Sequence, residues 1–250
     1  MTVHFVGAGP GAADLLTVRA TRLLAAADVV LYPGTYLAPD VLSHVSPSAE
    51  LVDTQGLNLS EIVDHLVGAH RAGKDTVRLA SGDLSVYSAL AEQTRRLDEA
   101  GVPWDVTPGV PAYAAAAAIA GRELTVPLIA QSVVLTRTRA RSTAMPSGES
   151  LDAFAATGAT LVLHLAITRT RELMAEIEPR YGADCPVVVV YRASQPGEVT
   201  LRGTVATIAD AVEAAGLRQA AVILVGRALD PASGGESYLY DAARDRRARP

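Results

Sequence analysis

A glycine-rich turn stands directly behind the first short strand of this 250-residue chain, and it limits what can follow. Thr2–Val6 is a β-branched and aromatic run, and Gly7-Ala8-Gly9-Pro10-Gly11 follows it without a spacer. Glycine permits tight turns and close backbone approach, so such a loop receives either a ligand or a facing segment. The arrangement recurs. Ser81-Gly82-Asp83 follows the strand Thr76–Leu79, and Thr107-Pro108-Gly109-Val110-Pro111-Ala112 follows Pro103–Thr107. Asp83 suits either a ligand hydroxyl or ammonium group or the cap of the next helix. Three loops of small residues, each at the carboxyl end of a strand, predict one cleft at a sheet edge, where open α/β folds bind ligands.

The segments between these loops carry helical periodicity. Asp14–Ala26 reads as a helix with Leu15, Val18, Leu23 and Ala26 near one face. Asn58 with Glu61 forms a capping box, Ile62, Leu66 and Val67 supply an apolar stripe, and Gly73 ends that helix. Ser85–Ala100 reads as a third helix ended by Gly101, while Asp28–Leu31 and Glu50–Asp53 read as further strands. Strands alternating with helices predict a mostly parallel sheet covered on both faces.

The pattern changes after Gly121. Strands are expected at Val133–Thr136, Thr160–Leu165, Val187–Tyr191, Ala221–Val225 and, more polar and edge-like, Glu198–Gly203, with a short last one at Ser237–Tyr240. Helices are expected at Arg169–Ile177 and Thr204–Ala214. A mixed sheet with antiparallel members fits this half. The division predicted is an N-terminal α/β domain over 1–121, a C-terminal α/β domain over 122–240, and a fraying tail over 241–250.

Composition narrows the function classes. Lys plus Arg number 22 against 27 Asp plus Glu, a net charge of -5, which argues against a general nucleic-acid footprint. Cys185 is the single cysteine, so neither an intrachain disulfide nor a cysteine-cluster metal site is expected. The Ala-rich run 112–120 is too short to span a bilayer, which takes roughly 20 apolar residues, and Met1–Phe5 carries no basic leader. A soluble cytoplasmic protein with no membrane partner is the expectation. No zinc-protease, Walker or nucleophile-elbow motif is present. His4 suits a structural place in its strand, His44, His65 and His70 suit solvated positions, and His164 fits either the core or the cleft. The absence of an evident acid, base or nucleophile favours chemistry by positioning a reactive cofactor. A nicotinamide site is the rival reading, since Gly7 and Gly9 fit its spacing. Pro10 removes an amide where phosphate needs donors, Ala12 stands at the third glycine, and Leu31-Tyr32-Pro33 offers no ribose acid.

Taken together, the loops resemble the signatures of the tetrapyrrole methyltransferases. Val6–Gly11 with Leu15-Leu16-Thr17 is similar to that family's opening signature, Arg78–Asp83 to its second and Thr107–Val110 to its third. Pro186–Tyr191 and Ile223–Arg227 resemble later segments, so the likeness runs from about residue 2 to residue 230 in the family's order and spacing. Leu31–Leu37, Glu123–Pro127 with Gln131–Thr138, and Met145–Glu149 resemble the branch that methylates C11 of precorrin-4 in cobalamin synthesis. Leu84, Pro33 and Leu128 depart from that pattern, Leu128 standing where the branch commonly has Glu.

The resemblance implies two α/β domains of the tetrapyrrole methylase type with the active-site cleft between them, usually in a homodimer. It implies S-adenosyl-L-methionine as methyl donor, with S-adenosyl-L-homocysteine as product and no metal of the protein's own. Carried over position by position, Pro10, Ser81, Gly82, Asp83, Val86, Pro111, Ala112, Leu165 and Ala193 would line the cofactor site. The implied substrate is an anionic reduced tetrapyrrole, and a chain of net charge -5 needs a local basic patch to receive it. Arg137, Arg139 and Arg141 are the candidates, with Tyr113 placed to pack on the macrocycle. Related alternatives are another precorrin or cobalt-precorrin position.

Overall fold

The structure is a computed structural model that describes residues 1–34, 37–138 and 144–230, with 232, 234 and 237. The chain divides into two compact units, Met1–Ala115 with Arg192–Gly197, and Ala116–Tyr191 with Glu198–Pro250.

In the first unit, β1 (Val3–Gly7), β2 (Val29–Tyr32), β3 (Glu50–Asp53), β4 (Thr76–Ala80) and β5 (Trp104–Thr107) form one sheet in the order β3-β2-β4-β1-β5. Every pairing is parallel, with Phe5 opposite Arg78 and Val106. Alternate residues of each strand point to opposite faces. Val3, Phe5, Val29 and Leu31 pack under α2 (Leu59–Arg71) and α3 (Leu90–Glu99), through Val63, Leu66 and Leu97. Val6, Val30, Val77 and Leu79 pack on the other face against Ala20 and Leu24 of α1 (Val18–Ala26). Phe5, Leu24, Leu31, Leu66, Leu79 and Leu97 are fully buried, each contributing roughly 1.5–3 kcal/mol. The expected two-faced parallel sheet is therefore present.

Several element boundaries differ from the sequence reading. Asn58 accepts hydrogen bonds from the amides of Ser60 and Glu61, and Glu61 reaches back to the Asn58 amide at 2.7 Å, so the capping box forms as expected. The helix expected over Asp14–Ala26 is instead a short 3-10 turn at Ala13–Leu15 followed by α1. Thr17 breaks it, because its hydroxyl caps the Ala20 amide with extended backbone. The third helix begins at Leu90 rather than Ser85. Tyr87 and Ala89 take left-handed φ values of 55°, and Ser88 Oγ–H donates to the Leu84 carbonyl, so residues 81–89 form an irregular turn. The alanine run, read only as too short for a membrane, is helix α4 (Ala112–Ala120).

In the second unit, β6 (Val133–Arg137), β7 (Thr160–His164), β8 (Pro186–Tyr191), β9 (Val199–Thr204) and β10 (Ala221–Val225) run in the order β6-β7-β10-β8-β9. The β6–β7 pair is parallel and the rest are antiparallel. The mixed sheet and the edge position of the polar strand match the expectation. Leu161, Leu163, Val187, Val189, Ile223 and Val225 share a core with Leu173, Met174 and Ile177 of α6 (Thr170–Tyr181) and Ile208 of α7 (Ile208–Ala214). A short helix, α5 (Leu151–Ala155), was not anticipated; Ser150 caps it by accepting from the Ala153 amide. The last expected strand, beyond Ser237, and the tail over 241–250 lie outside the described residues.

Candidate active site

The carboxyl ends of β1, β4 and β5 bring the three glycine loops of the first unit together. Gly9 and Gly82 exchange backbone hydrogen bonds of 3.1 and 2.8 Å, and the Ala8 amide donates to the Ala80 carbonyl at 2.8 Å. Gly7 and Gly109 have no room for a side chain. A Cβ on Gly7 would stand 2.5 Å from the Gly109 nitrogen and 2.8 Å from the Gly82 carbonyl oxygen, and one on Gly109 would run into that same carbonyl. Backbone meets backbone here, which explains why these positions are glycine. The loops are one built unit and not three separate turns.

Asp83 staples that unit. Its carboxylate accepts from the Gly109 amide at 2.8 Å, from the Ser85 amide at 2.9 Å and from the Ser85 hydroxyl. Partial burial by itself would raise the Asp83 carboxyl. The hydrogen bonds from Ser85, Gly109 and Leu84 outweigh it and hold the group below the ordinary carboxylate value. Among the described residues no ion pair joins Asp83, so its charge is met by neutral donors alone.

The other candidates fall as follows. Pro10 and Gly82 are buried, Ser81 is exposed, and Val86, Pro111, Ala112 and Tyr113 are half-buried in the same unit. Ala193 is buried and belongs to the segment Arg192–Gly197 of that unit. Leu165 lies in the second unit, directly after β7, with φ 53° and 62% of its surface exposed. An exposed leucine held in the left-handed region is unusual, because the conformation costs about 1–2 kcal/mol in an L-residue. Arg137 ends β6 in the second unit, in register with His164. Arg139 and Arg141 lie outside the described residues. His164 is largely buried, and that burial lowers its pKa and favours the neutral ring. His4 pairs with Asp105 at 2.9 Å across β1 and β5, as suits a structural histidine.

Two contributors escaped the sequence reading. Gln195 Nε2–H donates to the Pro10 carbonyl at 2.7 Å, and Ser194 Oγ accepts from the Ala12 amide at 3.1 Å. No local signal reveals them, since 182 and 185 residues of chain separate the partners. Arg78 was noted only as part of a signature. Its largely buried guanidinium donates to Gln93 Oε1 at 3.2 Å, Thr54 Oγ1 at 3.2 Å and the Leu79 carbonyl at 3.0 Å, and burial lowers its pKa to about 10.

A pyrophosphate cofactor fits this geometry poorly. The glycine loop leads into a 3-10 turn, and α1 starts only at Val18, so the loop does not run directly into a helix N-terminus as a dinucleotide loop does. S-adenosylmethionine fits better. The cradle is walled by backbone and small side chains, and the Asp83 carboxylate, unpaired by any cation among the described residues, suits a ligand carrying positive charge. The geometry suits an α/β protein that receives a compact, positively charged ligand on backbone loops.

The family model for Tetrapyrrole (Corrin/Porphyrin) Methylases matches residues 2–209. A precorrin-4 C(11)-methyltransferase of Rhodococcus erythropolis is 53% identical over 246 residues, 98% of this chain and 99% of that protein. The solved structure of a cobalt precorrin-4 methyltransferase superposes with a TM-score of 0.89 at 41% identity, covering 92% of this chain and 96% of that one. A uroporphyrin-III C-methyltransferase of Thermus thermophilus, solved with S-adenosylhomocysteine, gives a TM-score of 0.76 at 30% identity over 92% and 93% of the two chains. The chain belongs to the tetrapyrrole methylases, and it is a methyltransferase.

Proposed function

We propose that this chain transfers the methyl group of S-adenosylmethionine to C11 of precorrin-4, giving precorrin-5 and S-adenosylhomocysteine. The observation that carries the reading is the fused backbone cradle of Gly7, Gly9, Gly82 and Gly109, stapled by Asp83, in a chain 53% identical to a precorrin-4 C(11)-methyltransferase. When bound, S-adenosylmethionine supplies an electrophilic methyl group activated by its sulfonium charge. Pro10, Ser81, Gly82, Asp83, Val86, Pro111, Ala112 and Ala193 hold and orient the donor, with Leu165 kept as a further candidate donor residue. Asp83 stays ionised and stabilises the positive charge of the bound donor. The work of the protein is alignment: it sets the donor in line with the nucleophilic carbon of an electron-rich macrocycle.

Arg137, with Arg139 and Arg141, receives the substrate carboxylates, and Tyr113 packs on the ring. The enzyme works as a cytoplasmic homodimer and takes neither nucleic acid nor membrane as partner. We retain the domain division at 1–121 and 122–240 as the functional one. The cobalt-bearing form of the same substrate is a second reading, favoured by the likeness to the cobalt precorrin-4 methyltransferase at 41% identity.

Calorimetric titration with S-adenosylhomocysteine, with NADH as control, tests the donor site. One binding event per chain in the micromolar range, with no heat from NADH, is expected. Failure of the folded protein to bind S-adenosylhomocysteine would remove the donor assignment, and binding of NADH would put the nicotinamide reading in its place.

A further inference from the structure

The segment Arg192–Gly197 connects β8 to β9, two strands of the second unit, yet it groups with the first. It reaches the glycine loop there at three consecutive residues. Gln195 Nε2–H donates to the Pro10 carbonyl at 2.7 Å, the Ala12 amide donates to Ser194 Oγ at 3.1 Å, and the Gln195 side chain fills the space a Cβ on Gly11 would need. A Cβ on Gly11 would collide with Gln195 Cγ, so the glycine and the glutamine are a matched pair. The segment is bent to make this fit. Arg192 and Ser194 take φ values of 50° and 60°, and the Gln195 amide closes a turn on the Arg192 carbonyl at 2.9 Å. Non-glycine residues in that region persist only where the surroundings over-determine them.

The loop being held needs holding. Pro10 has no amide, Gly9 and Gly11 are the most permissive residue type, and no regular helix begins until Val18. The Gly9–Gly82 bridge and the Ala8 bond fix its first half. Its second half, Pro10 to Ala12, is tied by Ser194 and Gln195. We propose that Gln195 is a positioning residue of the methyl-donor site: it acts through the Pro10 carbonyl and the face of Gly11 to preset the loop that receives S-adenosylmethionine, with Ser194 as its assistant at Ala12. The inference rests on the donor site proposed above. Gln195 does not touch the reacting atoms; it removes the ordering cost that a loose loop would impose on donor binding.

The signature follows. Loss of the clamp weakens donor affinity and leaves the transfer step intact once the loop is filled, so KM for the donor rises and kcat does not fall. Gln195→Met keeps the packing on Gly11 and deletes the donated hydrogen bond, Gln195→Ala deletes both, and Gly11→Ala introduces the collision. We expect Gln195→Met to weaken S-adenosylhomocysteine about tenfold and raise the donor KM by a similar factor, with kcat within about twofold of the parent. Gly11→Ala should weaken binding at least as much, and the double variant Gly11→Ala/Gln195→Ala should recover affinity relative to Gly11→Ala alone, because the collision is gone. Hydrogen exchange of the ligand-free protein gives an arm independent of the donor: amides of 7–16 should exchange faster in Gln195→Ala than in the parent.

Unchanged affinity and unchanged exchange in Gln195→Met and Gln195→Ala, or additive losses in the double variant, would overturn the clamp. A fall in kcat with an unchanged donor KM would overturn it too. Absence of S-adenosylhomocysteine binding in the parent would strike the donor site instead, and the exchange arm would still judge the clamp.

Discussion

In the first unit, the strands that approach the candidate site run out into Gly7, Gly9, Gly82 and Gly109; β7 and β8 of the second unit run out into Leu165 and into Arg192, where the segment counted with the first unit begins, and both are left-handed without being glycine. The same geometric need, a sharp exit from a sheet edge, is met by two kinds of residue. Glycine is required where backbone packs on backbone, because a Cβ at Gly7 or Gly109 would lie inside a neighbouring chain segment. Leu165 and Arg192 keep their side chains because their surroundings leave room, and both are exposed. Gly7 and Gly109 therefore mark close approach and Gly82 a left-handed turn with ordinary room for a Cβ, whereas Leu165 and Arg192 hold side chains at positive φ where the surface is open.

The largest effect expected from this contrast is at Gly109. Gly109→Ala would push a methyl into the Gly82 carbonyl and the Gly7 backbone, where nothing flexible gives way. A loss of about 3 kcal/mol is expected in denaturant unfolding, together with loss of S-adenosylhomocysteine binding. A substitution tolerated without loss would show that the loops are not fused.

Asp83→Ala comes next. It deletes the acceptor of the Gly109 and Ser85 amides and should cost about 1–2 kcal/mol and weaken donor binding. The pH dependence has a defined sign. The Asp83 pKa is lowered on folding, so its contribution is present above the unfolded carboxylate pKa and is lost as pH falls through the folded value. The parent should lose more stability than Asp83→Asn on acidification below about pH 4.

Leu165→Gly sharpens the comparison from the other side. Relief of a left-handed side chain offsets the entropy of an added glycine, so stability should change by less than about 1 kcal/mol, while affinity for the donor falls if the side chain is there for contact. An unchanged affinity would take Leu165 out of the site.

The smallest effect is at His164. Burial lowers its pKa, so the unfolded chain binds the proton more readily, and stability should decline as pH falls below about 6.5. His164→Asn should flatten the stability profile in that window. An identical profile in parent and variant would remove His164 as the cause.

Much of this was legible in the residues. The capping box at Asn58 and Glu61, the unbroken valines of β8 and the three glycine loops are local patterns, and local patterns survive into the fold. What was hidden is non-local or sits in a side-chain hydrogen bond. Thr17 splits the first helix by capping Ala20, and the left-handed Tyr87 and Ala89 delay the third to Leu90, against good helical periodicity. Gln195 finds Pro10 across most of the chain, and no periodicity records that contact. Asp83 was read as a ligand for something else or as a helix cap; its staple to Gly109 appears only when β4 and β5 flank β1.

The most direct test of the central claim is to locate the transferred methyl. The purified protein would be given precorrin-4 and S-adenosylmethionine labelled with carbon-13 in its methyl group, and the product examined by carbon NMR. The account predicts a single labelled methyl bonded to C11 and one S-adenosylhomocysteine released per methyl transferred. A label on another carbon, or no label on the macrocycle with a folded, donor-binding protein, would contradict it.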